Sequence, residues 1–266
     1  MLILCTCFYM EKDYGLVSII MAYYNAEKYV FDAVNSIIDQ SYNNWELIIV
    51  NDCSTSEKTD LVLQKIKSLD SKIKIIKTQK NCGAGGARNC GIKECNGKYL
   101  AFLDSDDWWY PTKLEEQISF MAENGYVFTC TYYQDTDQNL NPYYEMHQKL
   151  KQNITDLIRD CNIGTPGVII NIEKLGKVYM PPLRSSEDHG LWIELLKRVD
   201  YIFTYSKALW KYRHLNGSES SNKLKMMKGL VKMYKYVLGY SSIKAWSVCI
   251  FVLLPRNIIK KCRKIF

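Results

Sequence analysis

The sequence predicts an α/β fold: a largely parallel central sheet with flanking helices, followed by a basic amphipathic C-terminal helical extension. Three observations predict it. Short apolar runs alternate with segments of helical apolar period, the pattern of βαβ units. The runs are apolar throughout, which suits strands covered on both faces. Polar clusters, two of the three with carboxylates, stand directly after them, where open α/β sheets bind ligands.

Residues 16–22 (LVSIIMA) read as the first buried strand, and residues 29–38 carry Val30, Val34, Ile37 and Ile38 at helical spacing. Residues 45–50 (WELIIV) are a second strand, ending in Asn51-Asp52-Cys53-Ser54. A helix is expected over 58–69 and a third strand over 73–77. The glycine-rich stretch 81–91 leads into a helix, with the Gly83–Gly86 stretch expected to make tight turns ahead of it. Residues 99–103 (YLAFL) form a fourth strand and run into Asp104-Ser105-Asp106-Asp107. After Trp108 the pattern weakens. Helices are expected over 113–123, 155–160 and 187–198, and strands over 127–133, 167–172 and 201–210. The helix at 187–198 opens with acidic residues and closes with basic ones, as its dipole favours. No repeat or linker interrupts the chain, so residues 1–222 are expected as one domain and 223–266 as its extension.

The 266 residues are 47% hydrophobic and 24% charged, which excludes a disordered chain. A chain of this length needs no disulfide or metal to fold. Its ten cysteines include no CxxC, so a zinc ribbon or thioredoxin-type motif is unsupported and free thiols in a reducing compartment are expected. No run reaches the roughly 20 apolar residues of a membrane-spanning helix. Residues 1–10 lack the basic start and cleavage site of a signal peptide, and Met10 is an alternative start. Charge is uneven. Eleven of the 35 basic residues fall at 223–266, where there is no Asp or Glu, so the body carries an acidic excess and the tail suggests an anionic partner. In that tail Leu224, Met227, Leu230, Val231, Tyr234 and Leu238 recur at helical spacing, with Lys225, Lys228, Lys232 and Lys235 largely between them. Residues 245–254 are apolar, and Pro255, Arg256, Lys260, Lys261, Arg263 and Lys264 follow. An interfacial membrane anchor fits this pattern; a helix packed on the body with a solvated lysine face is the alternative. Nucleic acid is not expected, because no recognition motif accompanies the basic residues.

Six stretches stand in order: VSIIMAYYN at 17–25, ELIIVNDCS at 46–54, NCGAGGARNCG at 81–91, YLAFLDSDDWW at 99–109, EDHGLW at 187–192 and YRHLNGSES at 212–220. Together they resemble glycosyltransferase family 2, inverting sugar-nucleotide-dependent enzymes with the GT-A fold. The resemblance is strongest over 16–118 and returns over 187–221. Asp104 and Asp106 form a D-x-D; in an extended segment such residues face the same way, and hard oxygen ligands suit Mg²⁺ or Mn²⁺. The resemblance implies that this pair holds the donor diphosphate through the metal, with His214 as a third ligand or a phosphate contact. It implies Asp52 at the nucleobase, with Ala22, Tyr23 and Tyr24 lining the base pocket; an aromatic stack and a core tyrosine both remain open there. Arg88 is implied at the donor phosphate or ribose, or else in a surface salt bridge, and Arg213 at phosphate. Asp188 is implied as the catalytic base.

The activity so implied is metal-dependent transfer of a hexose, glucose or galactose, from a UDP-sugar. The implied acceptor is an undecaprenyl-diphosphate-linked N-acetylhexosamine, joined by a β linkage in O-antigen, lipopolysaccharide or capsule assembly. With the basic tail, this places the chain in the cytoplasm, peripheral on the inner face of the cell membrane. A dehydrogenase would need GxGxxG after the first strand, where Ala22-Tyr23-Tyr24-Asn25 stands. A carbohydrate-binding protein on an inactive transferase fold would have lost the D-x-D or the base, yet Asp104, Asp106 and Asp188 are present.

Overall fold

A computed structural model describes residues 12–215 and 223–253. In chain order the elements are β1 (Val17–Tyr23), α1 (Val30–Ile38), β2 (Trp45–Asn51), α2 (Thr59–Lys67), β3 (Ile73–Lys77), α3 (Gly83–Glu94), β4 (Tyr99–Phe102), β5 (Trp108–Trp109) and α4 (Lys113–Asn124). There follow β6 (Phe128–Thr136), β7 (Pro142–Met146), β8 (Lys151–Gln152), α5 (Ile154–Arg159), β9 (Ile169–Asn171), α6 (Ile172–Leu175), α7 (Glu187–Leu195), β10 (Ile202–Arg213), α8 (Lys223–Leu238) and α9 (Ser242–Val248).

One sheet runs β3-β2-β1-β4-β9-β6-β10-β5, with β7 beside β6 and β8 beside β10. The first four strands are parallel. β9 enters antiparallel to both β4 and β6, and β10 lies parallel to β6. β1 is flanked by β2 on one side and β4 on the other, so the strand order reverses there and leaves a crevice at the carboxyl ends.

Side chains alternate across a strand, and the two faces carry separate cores. Val17, Ile19, Met21 and Tyr23 of β1 pack with α1, α2 and α4 through residues such as Val34, Ile66 and Ile118. Ile20 joins Ile48, Val50, Ala87 and Ile92 on the other face, with Leu191 and Trp192 of α7. Three short strands, β5, β7 and β8, were not expected from the sequence. The Gly83–Gly86 stretch also differs from expectation: it forms the first turn of α3 rather than turns ahead of it. Gly85 is needed there because a Cβ would lie 2.6 Å from Glu187 Cγ.

The C-terminal helices share the second core. Val231, Met233, Tyr234 and Val237 of α8 and Ala245 of α9 are buried with α7. The Tyr234 hydroxyl donates to the Ile158 carbonyl at 2.9 Å. Five of the six expected stripe positions pack there: Val231 and Tyr234 are buried and Met227, Leu230 and Leu238 pack against the core, while Leu224 is exposed and the stripe widens onto Met233 and Val237, which are buried. Gly190 of α7 explains this, since a Cβ there would touch Met233 Cγ at 3.3 Å and Val237 Cγ2 at 3.4 Å. Packing against the body therefore sets the orientation of α8. Among the described residues no helix is long and apolar enough to cross a membrane. The basic segment after Pro255, and residues 216–220 of the YRHLNGSES stretch, lie outside the described residues.

Candidate active site

The crevice begins where β1 and β2 end. Asn25 and Cys53 hold left-handed backbones (φ 48° and 57°), a conformation that costs energy and tends to persist at functional sites. The Asn25 side chain accepts from the amides of Thr55 and Ser56, and this joins the two loops. Tyr23 is wholly buried in the first core, so it packs the sheet and does not line a base pocket; its place on the strand turns it away from the Ala22 face. Tyr24, the next residue, is 49% exposed.

Asp52 is buried and heavily used. Its Oδ1 accepts from the Cys82 amide at 2.8 Å and the Thr78 hydroxyl at 3.0 Å, and its Oδ2 accepts from the Gly83 amide at 2.8 Å. Those amides open α3, whose first N–H groups have no partner within the helix. Asp52 thus ties the end of β2 to the start of α3, and its negative charge suits a helix N-terminus.

The D-x-D sits after β4 in a turn, not in an extended segment: the Asp107 amide donates to the Asp104 carbonyl at 3.1 Å. The turn is what brings the carboxylates together, so the expected extended geometry is corrected here. Arg88, buried on α3, lies beneath them. Its Nη2 donates to Asp104 Oδ1, and its Nη1 faces Glu187 Oε1 at 3.4 Å. Burial works against the guanidinium charge, but Asp104 and Glu187 outweigh it and hold the group charged. Arg88 is therefore a buried ion-pair partner, and neither a surface salt bridge nor a guanidinium free for phosphate.

Arg213 is likewise engaged within the protein. Its Nε donates to the Asp106 carbonyl, its Nη1 to the Gln138 carbonyl and its Nη2 to Asp32 Oδ2, while its amide donates to Asp107 Oδ1. With every guanidinium nitrogen so used, Arg213 clamps the D-x-D turn in place of pairing with phosphate. Burial, then the neighbouring Asp104 charge, pushes the Asp106 carboxyl up to about 6. Asp107 is pushed well up by burial and by Asp106 and Asp104, and its Oδ2 has no hydrogen-bond partner among the described residues.

The start of α7 forms the opposite wall. Ser186 is held left-handed (φ 59°) immediately before Glu187 and Asp188. Asp188 is half-buried; its Oδ2 accepts from the Thr165 hydroxyl at 3.0 Å and its Oδ1 from the His189 amide at 2.7 Å. Burial, then Asp188, raises the Glu187 carboxyl. Arg88 links the D-x-D turn to the helix that carries Asp188.

His214 does not join Asp104 and Asp106 as the expected third ligand. Its Nε2 lies 2.9 Å from Asp135 Oδ1, and among the described residues no three His, Cys, Asp or Glu side chains form a metal cage. Asp104 and Asp106 nevertheless fit Mg²⁺ or Mn²⁺. Crowded carboxylates raise one another, as Asp106 does, and a small hard cation that keeps several waters is held by one or two carboxylates plus substrate phosphates. Glu187, Thr165 and the bridging role of Arg88 were not found from the sequence. Glu187 carried only the signal of an acid at a helix start, and Thr165 carried none.

Residues 18–171 match the family model for glycosyl transferase family 2. A Bacillus subtilis (strain 168) protein named for teichuronic acid biosynthesis, the glycosyltransferase TuaG, is 37% identical over 92% of this chain and 97% of its own length. The Escherichia coli UDP-Glc:alpha-D-GlcNAc-diphosphoundecaprenol beta-1,3-glucosyltransferase WfaP is 35% identical over 93% of this chain and 96% of its own. Among solved structures, S. aureus TarS 1–349 with UDP-GlcNAc superposes with a TM-score of 0.69 at 21% identity, over 89% of this chain and 71% of that one. The last likeness shows the fold, GT-A.

Proposed function

The chain belongs to glycosyl transferase family 2, and from that premise we propose that it transfers glucose from UDP-glucose to a lipid-diphosphate-linked N-acetylhexosamine with inversion, forming a β linkage. Galactose is the second donor to test. The names of the Escherichia coli relatives support donor and acceptor, and the TuaG name supports a cell-surface polysaccharide product. The observation that carries the reading is Arg88 bridging Asp104 and Glu187, which fixes the diphosphate-binding turn relative to the proposed base.

Asp52 retains one acceptor position on Oδ2, out of about four on a carboxylate, for a ring N–H of uracil, while Tyr24 offers its face to the base. Asp104 and Asp106 would hold Mg²⁺ or Mn²⁺, which when bound neutralises charge on the leaving diphosphate. The acceptor hydroxyl oxygen forms the new bond to the anomeric carbon as the bond to UDP breaks on the opposite face. Asp188 takes the hydroxyl proton. Thr165 and the His189 amide hold that carboxylate in one orientation, so little is lost in ordering it for attack.

A donor screen with Mn²⁺ and a synthetic lipid-diphosphate N-acetylhexosamine tests this. Transfer from UDP-glucose, lost in Asp188→Ala and Asp104→Ala, is the expected result, and NMR of the product reads the linkage. Failure to bind any UDP-sugar would overturn the donor assignment. UDP-sugar hydrolysis that depends on Asp104, without transfer, would overturn the acceptor.

A further inference from the structure

A cleft of about 550 Å³ opens between the loop before α7 and the outer face of α8. This is within the size range of small-molecule sites. Pro182, Leu183 and Arg184 form one wall; Leu224, Lys228 and Lys232 form the other. The walls meet closely because α8 has a glycine at the crossing: a Cβ on Gly229 would lie 2.5 Å from Ser185 Oγ and 2.9 Å from Ser185 Cβ.

The cleft is cationic. Arg184 is held in place by Asn81, with Nη1 and Nη2 each donating at 2.9 Å, and that partner is neutral. Among the described residues no carboxylate pairs with Arg184, Lys228 or Lys232, and α8 contains no acidic residue. Lys228 and Lys232 lie one turn apart, a like-charge arrangement that weakens a helix unless an anion sits between them. The same walls present Leu183 and Leu224, so the complementary ligand combines multiple negative charge with an apolar chain. The wall holding Arg184 continues through Ser185 and Ser186 into Glu187 and Asp188.

We propose that this cleft is the subsite for the diphosphate and first isoprene units of the acceptor, holding its sugar against Asp188. The proposal rests on the reading above that the acceptor is a lipid diphosphate. Residues 182–185 and α8 then form an acceptor half of the site, separate from the donor half at the strand ends.

The test uses the full chain and three probes: farnesyl diphosphate, inorganic pyrophosphate, and phosphatidylglycerol vesicles. Farnesyl diphosphate is expected to bind at least tenfold tighter than pyrophosphate. In Lys228→Gln/Lys232→Gln its affinity falls at least tenfold, with UDP affinity and melting temperature unchanged. Unchanged farnesyl diphosphate affinity in the variant would overturn the proposal. So would a loss confined to the vesicles, which would make the cleft a bilayer contact, or an equal loss for UDP, which would assign the cations to the donor. The two readings fail separately. A variant that loses farnesyl diphosphate in a protein transferring no sugar to any lipid diphosphate upholds the prenyl-diphosphate cleft and overturns the acceptor. Transfer to a lipid diphosphate with the same KM in wild type and variant does the reverse.

Discussion

Charge is handled in opposite ways at the end of β4 and along α8. At the strand end Arg88 meets Asp104 and Glu187, and the Arg213 guanidinium meets Asp32 and two carbonyls. On α8, Lys228 and Lys232 face a cleft, and among the described residues no carboxylate pairs with either. The difference follows from burial. A charge removed from water must be paired as the chain folds, because an unpaired one costs several kcal/mol. A lysine in solvent loses little by standing alone and stays available to an incoming anion. The first region is built before any ligand arrives; the second is built to receive one.

Asp188→Asn removes the proposed base and keeps its shape. Transfer is expected to fall about 10²–10⁴-fold in kcat, with UDP binding and melting temperature retained. A variant that keeps its kcat would take the base out of the preorganised region. Arg88→Met leaves Asp104 and Glu187 without their cation, and a loss of about 3–5 kcal/mol is expected by denaturant unfolding, with transfer abolished. If that variant were as stable as wild type, the contrast between the two regions would collapse.

His189 tests the buried region through pH. Burial lowers its imidazole to about 4 from the ordinary 6.5, and its Nε2 lies 3.0 Å from the Leu157 carbonyl. Between those values the unfolded chain binds more protons than the folded one, so this group's share of stability is present above pH 6.5 and is lost as pH falls toward 4. The loss is on the order of 3 kcal/mol. The raised carboxyls of Asp106, Asp107 and Glu187 act in the opposite sense, so the quantity to measure is the difference between wild type and His189→Gln. A pH-independent difference would show that His189 does not titrate this way.

Gly229→Ala is expected to destabilise by about 1–3 kcal/mol through the clash with Ser185, although alanine favours a helix by about 1 kcal/mol. A stabilised variant would mean that α8 moves freely from the loop and that the cleft has no fixed width. Lys232→Ala, at the exposed end of the comparison, is expected to change stability by less than about 0.5 kcal/mol. A larger loss would give that lysine a structural role.

Much of the first region was legible in the sequence. β1, β2 and β4 stand out as apolar runs, and the carboxylates after β4 and at the start of α7 fall where the motifs put them. Roles were less legible. Arg88 read as a phosphate or ribose contact or a surface salt bridge, and Arg213 as a phosphate contact, because arginine is the usual anion fork, yet both are buried and held by internal partners. For Tyr23 a pocket residue and a core tyrosine were both open, and strand alternation places it in the core. The apolar stripe of α8 was visible, whereas its widening onto Met233 and Val237 was not, because Gly190 on a different helix makes room for them.

By itself the sequence determined the α/β class, the strand-to-loop positions of the motifs and the acid-free character of α8. These depend on local period and composition, which survive without any long-range contact. The tertiary structure alone decided which groups meet. Arg88 and Glu187 are 99 positions apart, and Arg213 and Asp32 are 181 apart. No local pattern encodes such pairs; they arise when two faces of one sheet are packed and these buried guanidinium groups meet carboxylates from distant segments.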